Sequence, residues 1–166
     1  LIWLAEQGYE VIGIELSPLA VKAFFAGNHL NVEKTTIGDL ECWQAGKIRL
    51  YCGNFFSLTS EILGQVDAVF DRASLVALPR AMRHDYAAKL TEITQSAPKL
   101  LVTLEYDQAK MDGPPFSVTE EEVNALYQAN YQVKQLSAQD VLGDNEKFRS
   151  RGLDYMNECT YLLQAK

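Results

Sequence analysis

Three short apolar runs in this sequence each end on side chains that could bind a ligand. These side chains are Glu15 after the first run, Asn54 and Phe55 after the second, and Asp71 and Arg72 after the third. In an open α/β sheet, ligands bind outside the carboxyl ends of the strands. If the three runs are neighbouring strands, the sequence predicts a binding site along that edge of the sheet.

Glu15 ends the first run, and a helix is predicted to begin directly after it, with Ser17 as N-cap and Pro18 in the first helical position. A carboxylate at this point can accept two hydrogen bonds from the vicinal hydroxyls of a ribose. This placement predicts a cofactor that contains adenosine. The alternative is local, because Glu15 could cap the following helix or pair with a lysine.

The other two strand ends also allow a functional and a structural interpretation. Asn54 could bond to adenine and Phe55 could stack on it, or they are an ordinary turn residue and a core residue. Arg72 could hold an anionic ligand, or it forms a structural ion pair with Asp71. The three strand ends together favour the functional interpretation.

The elements that would position these residues alternate between strands and helices. Strands are predicted at residues 9–15, 47–54, 66–73, 99–107, 131–141 and 154–165, and helices at 18–28, 57–64, 79–97 and 119–130. Such alternation is typical of a mostly parallel sheet. Residues 29–46 show no strong hydrophobic period and are predicted to form a loop insertion or a small extra turn.

The end of the chain breaks this alternation. Only a polar loop at residues 142–152 separates the last two strands, whereas a parallel pair needs a crossover that is usually helical. An antiparallel final pair is therefore predicted. The predicted fold class is α/β, with a Rossmann-like, doubly wound, mostly parallel sheet and an antiparallel C-terminal strand, in a single domain over residues 1–166.

The composition limits the classes of function. A net charge of −7 disfavours nucleic acid, because nucleic-acid binding depends on neutralising phosphates with lysine and arginine. No window has the roughly 18 consecutive apolar residues of a membrane span. The cysteines form no CxxC and, with His29 and His84, no spacing typical of a metal site, so a reducing, cytoplasmic location and no metal are expected. A monomer is expected, and both histidines are interpreted as surface groups.

The first residues, LIWLAEQG, have the pattern of the last two turns of an amphipathic helix closed by Gly8. They predict a domain that is N-terminally incomplete, with a first strand and a further segment preceding Leu1. The loop after that first strand would then also precede Leu1.

Four segments together resemble one family of enzymes. WLAEQGYEVIGIELS, LYCGNFF, FDRASLVALP and YDQAKMDGPPF are similar to the thiopurine S-methyltransferases, and to their bacterial branch in particular. The resemblance extends to RGLDYMNECTYLL near the C-terminus. It implies a class I methyltransferase that depends on S-adenosylmethionine, with a seven-stranded sheet whose last strand is reversed.

The resemblance also implies roles for individual residues. Glu15 should bind the cofactor ribose, Asn54 and Phe55 should contact adenine, and Arg72 should contact cofactor and substrate. Lys147 is placed near the substrate, with Arg149 and Arg151 as alternatives, and Pro114 and Pro115 should shape the wall of the substrate pocket.

The implied reaction is methyl transfer to the sulfur of thiopurines or other aromatic thiols and, in bacteria, to selenium or tellurium species. Thiols with a pKa near 8.5 or below are partly ionised at neutral pH, so no dedicated base is assigned. Two alternatives remain open from the residues. The first is an NAD(P)-dependent oxidoreductase, which shares the acid after the strand, and the second is a non-catalytic, methyltransferase-like binding domain.

Overall fold

A computed structural model describes the backbone of residues 1–166 and every side chain except that of Asp144. The chain separates into two compact units, residues 1–64 and 65–166. Each unit contains one four-stranded sheet. The assignment of residues 1–166 to a single domain stays a prediction.

The first unit has the strand order β1-β4-β3-β2, in which β1 and β4 are parallel and the other neighbours are antiparallel. Its elements are α1 (Ile2–Glu6), β1 (Val11–Glu15), α2 (Pro18–Gly27), β2 (Glu33–Ile37), β3 (Leu40–Ala45), β4 (Ile48–Cys52), a 3-10 turn (Phe55–Ser57) and α3 (Ser60–Leu63). The helix after β1 begins as predicted, because the Ser17 hydroxyl accepts a hydrogen bond from Ala20 N at 3.3 Å and Pro18 follows it.

The prediction of a loop insertion at residues 29–46 is wrong, because β2 and β3 form an antiparallel hairpin there. Every residue of β2 is exposed, so the strand has no buried face and no hydrophobic period. The sequence signal for this hairpin lies in its turns and not in its strands. Two-residue loops begin with Gly38 (φ 58°) and Gly46 (φ 55°), and glycine with positive φ at this position is typical of tight hairpins.

The core of the first unit lies between α2 and the sheet. Its buried members are Val21, Phe25, Trp43, Ile48, Leu50 and Cys52. Phe25 from α2 stacks on Trp43 from β3, with ring centroids 6.0 Å apart. This packing holds α2 against the strands and thereby fixes the turn at the end of β1.

The second unit has the strand order β5-β6-β8-β7. Its elements are β5 (Val69–Arg72), α4 (Arg80–Ile93), β6 (Lys99–Glu105), α5 (Glu120–Tyr127), β7 (Tyr131–Asp140), α6 (Glu146–Arg149) and β8 (Asn157–Ala165), with 3-10 turns at Leu75–Ala77, Gln108–Lys110 and Leu142–Asp144. β5 and β6 are parallel, whereas β8 is antiparallel to both of its neighbours, β6 and β7. The predicted antiparallel final pair is therefore confirmed.

Local chemistry sets the start of α5. Thr119 caps the helix and accepts a hydrogen bond from Glu122 N at 3.3 Å, an arrangement that the sequence TEEE at residues 119–122 favours.

No described helix is both long enough and apolar enough to cross a membrane.

Lys99, at the start of β6, is a buried lysine in the core of the second unit. Its side chain is 1% exposed. The ammonium donates to Thr94 Oγ1 at 3.0 Å and to Ala97 O at 3.3 Å, and it lies 4.7 Å from the centroid of the Tyr131 ring. Burial lowers the pKa of Lys99 from 10.5 to about 8, while the charge of Asp71 acts in the opposite direction.

Lys99 should therefore make stability depend on pH in the alkaline range. Between pH 8 and pH 10 the unfolded chain binds this proton more tightly than the folded chain, so folding gains stability as pH rises. We expect a gain of about 1–2 kcal/mol relative to Lys99→Met, which cannot titrate. Urea unfolding of both proteins across this range measures the difference, and the tyrosines and cysteines common to both cancel. Parallel pH profiles would contradict the assignment.

Candidate functional site

Glu15 is the last residue of β1, and its carboxylate is half-buried at the carboxyl end of the parallel pair β1–β4. One oxygen, Oε1, accepts a hydrogen bond from the backbone N–H of Ser17 at 2.8 Å. No described residue donates a hydrogen bond to the other oxygen, Oε2. One oxygen thus has a local role in the turn before α2, whose N-cap is Ser17, and the second remains able to accept from a ligand hydroxyl.

The segment that carries Asn54 and Phe55 begins at the end of β1, next to Glu15 in the backbone register. Glu15 is opposite Cys52 in the parallel register, and Gly53 N donates to Glu15 O at 3.0 Å. The residues that follow β4 therefore begin at the end of β1. Two of the three predicted strand ends are thereby brought together within the first unit.

The Asn54 side chain has a local role as well. Its Oδ1 accepts from Phe56 N at 3.0 Å and caps the 3-10 turn at Phe55–Ser57. The side chain is exposed, and no described residue accepts from its NH₂ group. Phe55 is half-buried and meets Phe56 edge to face, with ring centroids 5.4 Å apart. An amide donor and an aromatic ring thus follow, one and two positions later, the backbone contact between Gly53 and Glu15.

Cys52 is a buried thiol next to these residues. Burial raises the pKa of Cys52, and the charges of Glu41 and Glu15 raise it further. A thiol reacts as its thiolate, so this environment disfavours the reactive form.

Asp71 and Arg72 do not form the ion pair that one interpretation of the sequence proposed. Successive residues of a strand point to opposite faces of the sheet. Asp71 is buried and accepts a hydrogen bond from the Tyr86 hydroxyl at 2.9 Å. Arg72 is exposed, and its Nη2 lies 3.2 Å from Oε2 of Glu158 on β8.

Asp71 is buried in the core of the second unit at the end of β5. Burial raises the pKa of Asp71, and the bond from Tyr86 and the backbone N–H of Leu75 act against that rise. Leu75 lies in the turn that follows Arg72, where Ala73 has a φ of 70°, and Oδ1 of Asp71 has no hydrogen-bond partner among the described residues. Asp71 is therefore a structural support for the strand end that carries Arg72.

Pro114 and Pro115 lie in the segment of residues 106–117, here called the proline loop. Hydrogen bonds within the second unit hold this loop. The Tyr106 hydroxyl donates to Pro115 O at 2.6 Å, and Phe116 N donates to Val76 O at 2.6 Å. Gly113 precedes the prolines with a φ of 80°, and a Cβ there would lie 2.5 Å from the Phe116 ring. Pro114 is exposed and Pro115 is half-buried.

Gln108 completes the support of this proline loop. Its Oε1 accepts from Ser117 N at 2.8 Å, and its Nε2 donates to the Tyr106 hydroxyl at 3.3 Å. One side chain thus joins both ends of the loop.

The three candidate cations of the 147–151 loop are all exposed. Lys147 and Arg149 belong to α6, and Arg151 follows it. Burial raises the pKa of Tyr106, and the charges of Arg83 and Arg151 are among the effects that oppose this rise. The roles of Lys147, Arg149 and Arg151 all stay predictions.

Sequence reasoning missed Glu158, Tyr106 and Gln108. A signal existed for Glu158, because NECTYLL alternates buried and less buried positions and places an acid on the less buried face of a late strand. Tyr106 and Gln108 directly follow β6, at the strand end where the same edge rule predicts functional residues. Among the described residues, no group of three or more side chains could hold a metal ion.

The family model and the relatives that match this chain carry the same description. The family model "Thiopurine S-methyltransferase (TPMT)" matches residues 1–166. The chain is 44% identical over 167 residues to a thiopurine S-methyltransferase of Bordetella petrii and 46% identical to one of Nitrosospira multiformis. Each match covers 100% of this chain and 76% of the relative.

One solved structure is similar in fold. It is the 1,6-didemethyltoxoflavin-N1-methyltransferase of Burkholderia thailandensis with bound 1,6-didemethyltoxoflavin and S-adenosylhomocysteine, at a TM-score of 0.54 and 17% identity. The match covers 99% of this chain and 65% of that chain, so this chain spans less than two thirds of its length. The predicted α/β fold class is confirmed as a methyltransferase fold, with sheets that contain both parallel and antiparallel strands.

Proposed function

Because this chain belongs to the thiopurine S-methyltransferase family, we propose that it transfers the methyl group of S-adenosylmethionine to the sulfur of thiopurines or other aromatic thiols. The match of the family model to residues 1–166 carries this proposal. It favours methyl transfer over the oxidoreductase that the acid after β1 also allowed. Selenium and tellurium species are soft nucleophiles like sulfur and are proposed as further acceptors.

The residues after β1 and β4 fit the adenosine part of this cofactor. Oε2 of Glu15 meets no described donor, so it can accept from a ribose hydroxyl without breaking the bond to Ser17. The NH₂ group of Asn54 can donate to adenine, and Phe55 offers a ring face or edge to it. The solved relative in fold has S-adenosylhomocysteine bound, which agrees with this fit.

S-adenosylmethionine supplies an electrophilic methyl group on a sulfonium. On the protein side, the proposed work is to hold an anionic sulfur acceptor in line with that methyl group. Arg72 suits this role, since it stays charged and has N–H groups beyond the one that contacts Glu158. A thiol acceptor is partly ionised near neutral pH, so no residue is assigned as a base.

The proline loop is proposed as a wall of the acceptor pocket. Pro114 and Pro115 present rigid apolar surface, and the bonds from Tyr106 and Gln108 hold that surface in place. Lys147 is proposed as a second cation near the acceptor, with Arg149 and Arg151 as alternatives. All three are exposed, in α6 or just after it, so single alanine variants are needed to choose among them.

Transfer of a radiolabelled methyl group to a thiopurine tests the proposed function directly. We expect methylated product, and competition by S-adenosylhomocysteine. A protein that binds S-adenosylmethionine in calorimetry and methylates none of a panel of thiopurines, aromatic thiols, selenite and tellurite would instead be a binding domain. Titration with NADH should show no binding, and NADH binding without S-adenosylmethionine binding would favour the oxidoreductase.

Replacing Arg72 with alanine should lower kcat/KM for a thiopurine about tenfold, the value of one lost charge-assisted contact. The dissociation constant of S-adenosylmethionine should change much less. Arg72→Lys keeps the charge without the planar fork and should restore part of the loss. The pair with Glu158 is exposed, so stability should hardly change.

Lys134→Ala is a suitable control, because Lys134 is an exposed cation of β7 in the same unit and lies opposite Leu162, away from the end of β5. Acceptor kinetics equal to those of the parent protein in Arg72→Ala would remove Arg72 from the acceptor site. A loss of the same size in Lys134→Ala would show that only net charge matters.

A further inference from the structure

We propose that Glu158 is a positioning residue that holds the Arg72 guanidinium in the orientation needed to bind the anionic acceptor. The proposal rests on the function proposed above for Arg72. Glu158 is 86 positions away in the sequence, and only the fold brings the two side chains together.

The strand register explains how the two residues meet. β6 lies between β5 and β8, with Arg72 opposite Val102 and Val102 opposite Thr160. Glu158 is two positions from Thr160 and therefore on the same face of the sheet. The Arg72 side chain crosses β6 on that face and reaches Glu158 with Nη2 at 3.2 Å.

The two residues differ in how firmly their backbones are held. Arg72 is the last residue of β5, beside the positive-φ turn at Ala73. Glu158 lies in β8, an interior strand, and is paired on both sides, with Leu104 of β6 and Gln139 of β7. The acid is thus the fixed partner, and the arginine is the side chain whose orientation it sets.

The contact also leaves room for a ligand. One guanidinium nitrogen meets Glu158, and no described residue accepts from the others. The Arg72 side chain is 59% exposed and that of Glu158 is 35% exposed, so both remain open to solvent. An arginine held by one N–H group and open at the rest is preorganised for a second acceptor.

An exposed ion pair contributes little to stability, so stability does not account for the pair. Its geometry instead predicts an effect on how the acceptor is bound. The competing possibility is that Glu158 occupies Arg72 and must be displaced, in which case its removal would improve use of an anionic acceptor. The two possibilities predict opposite signs for the same measurement.

The test is a double-mutant cycle between Arg72→Ala and Glu158→Ala, measured as kcat/KM for a thiopurine in the intact protein. We expect Glu158→Ala to lower kcat/KM about threefold to tenfold, with the dissociation constant of S-adenosylmethionine and the melting temperature nearly unchanged. Glu158→Gln keeps an oxygen acceptor and should lose less. In the Arg72→Ala background, Glu158→Ala should have no further effect, because it acts through Arg72.

Glu92→Ala removes a carboxylate from an exposed position of α4 and controls for net charge. An unchanged or raised kcat/KM in Glu158→Ala would overturn the proposal, and so would losses that add in the double variant. If the parent protein methylates a thiopurine and Arg72→Ala is impaired, such a result defeats this proposal alone. A parent protein without methyl transfer would defeat the proposed function and this inference with it.

Discussion

Replacing Arg83 with alanine should lower the free energy of unfolding by about 3–5 kcal/mol, the usual effect of removing one partner from a buried ion pair. Arg83 lies in α4 and is 2% exposed. Its Nη1 is 2.7 Å from Oε2 of Glu122 in α5, whose side chain is 15% exposed. Without the guanidinium, that carboxylate stays largely buried and has lost its counter-charge.

Two backbone carbonyls add to the expected loss. Arg83 Nε donates to Leu78 O at 2.9 Å, and Nη1 donates to Ser117 O at 3.1 Å. One side chain thus joins the start of α4, the end of the proline loop and the first turn of α5. The guanidinium also lies 5.7 Å from the centroid of the Phe116 ring, so the variant loses packing as well as charge.

Urea unfolding of the Arg83→Ala protein measures this loss, with Arg80→Ala as the exposed control expected within about 0.5 kcal/mol of the parent. The double variant Arg83→Met with Glu122→Gln removes both charges. It should recover part of the loss, because the uncompensated carboxylate is then gone. A loss below about 1 kcal/mol in Arg83→Ala would mean that water or a rearranged side chain compensates Glu122.

The features that could be predicted from the sequence are those decided by neighbouring residues. Ser17 and Pro18 predict the start of α2, and Thr119 predicts the start of α5. Both can be read locally, because an N-cap side chain bonds to an N–H group two or three positions away. The reversed final strand follows from loop length alone. The placement of Glu15 beside Asn54 follows from one general rule about parallel strands.

The features that could not be predicted depend on partners far apart in the sequence. Arg72 has a neighbouring acid in Asp71, yet its partner is Glu158, because strand alternation sends the neighbour into the core. Nothing adjacent to Arg83 or Lys99 marks them as buried. The hairpin β2–β3 was not predicted for a different reason. Its strand β2 is fully exposed and has no hydrophobic pattern, so only the glycines in its turns could have indicated it.

Replacing Glu15 with alanine should weaken binding of S-adenosylmethionine roughly tenfold to a hundredfold. A hydrogen bond to a charged group is worth about 1.5–3 kcal/mol, and each 1.4 kcal/mol is a factor of ten in the dissociation constant. The proposed bond uses Oε2, which no described residue contacts. Calorimetric titration of the parent protein and the variant measures the effect.

The bond from Ser17 complicates this variant, because Glu15→Ala also removes the acceptor that holds the turn into α2. Glu15→Gln separates the two roles. Its amide oxygen can still accept from Ser17 N, while its NH₂ group replaces the carboxylate oxygen that would face the ribose. The turn is then kept and the charged acceptor is lost, so glutamine should bind nearly as weakly as alanine if Glu15 serves the ligand.

Glu10→Ala provides the matched control, since Glu10 is an exposed acid just before β1 in the same unit. It should leave the dissociation constant unchanged. If Glu15→Gln binds like the parent and only Glu15→Ala is weakened, the carboxylate acts through the Ser17 turn and not on the ribose. Melting temperatures of the three variants, taken without ligand, decide whether any weakened binding reflects partial unfolding. A ribose contact requires Glu15→Gln to lose affinity while it melts close to the parent, because the turn bond alone then remains intact.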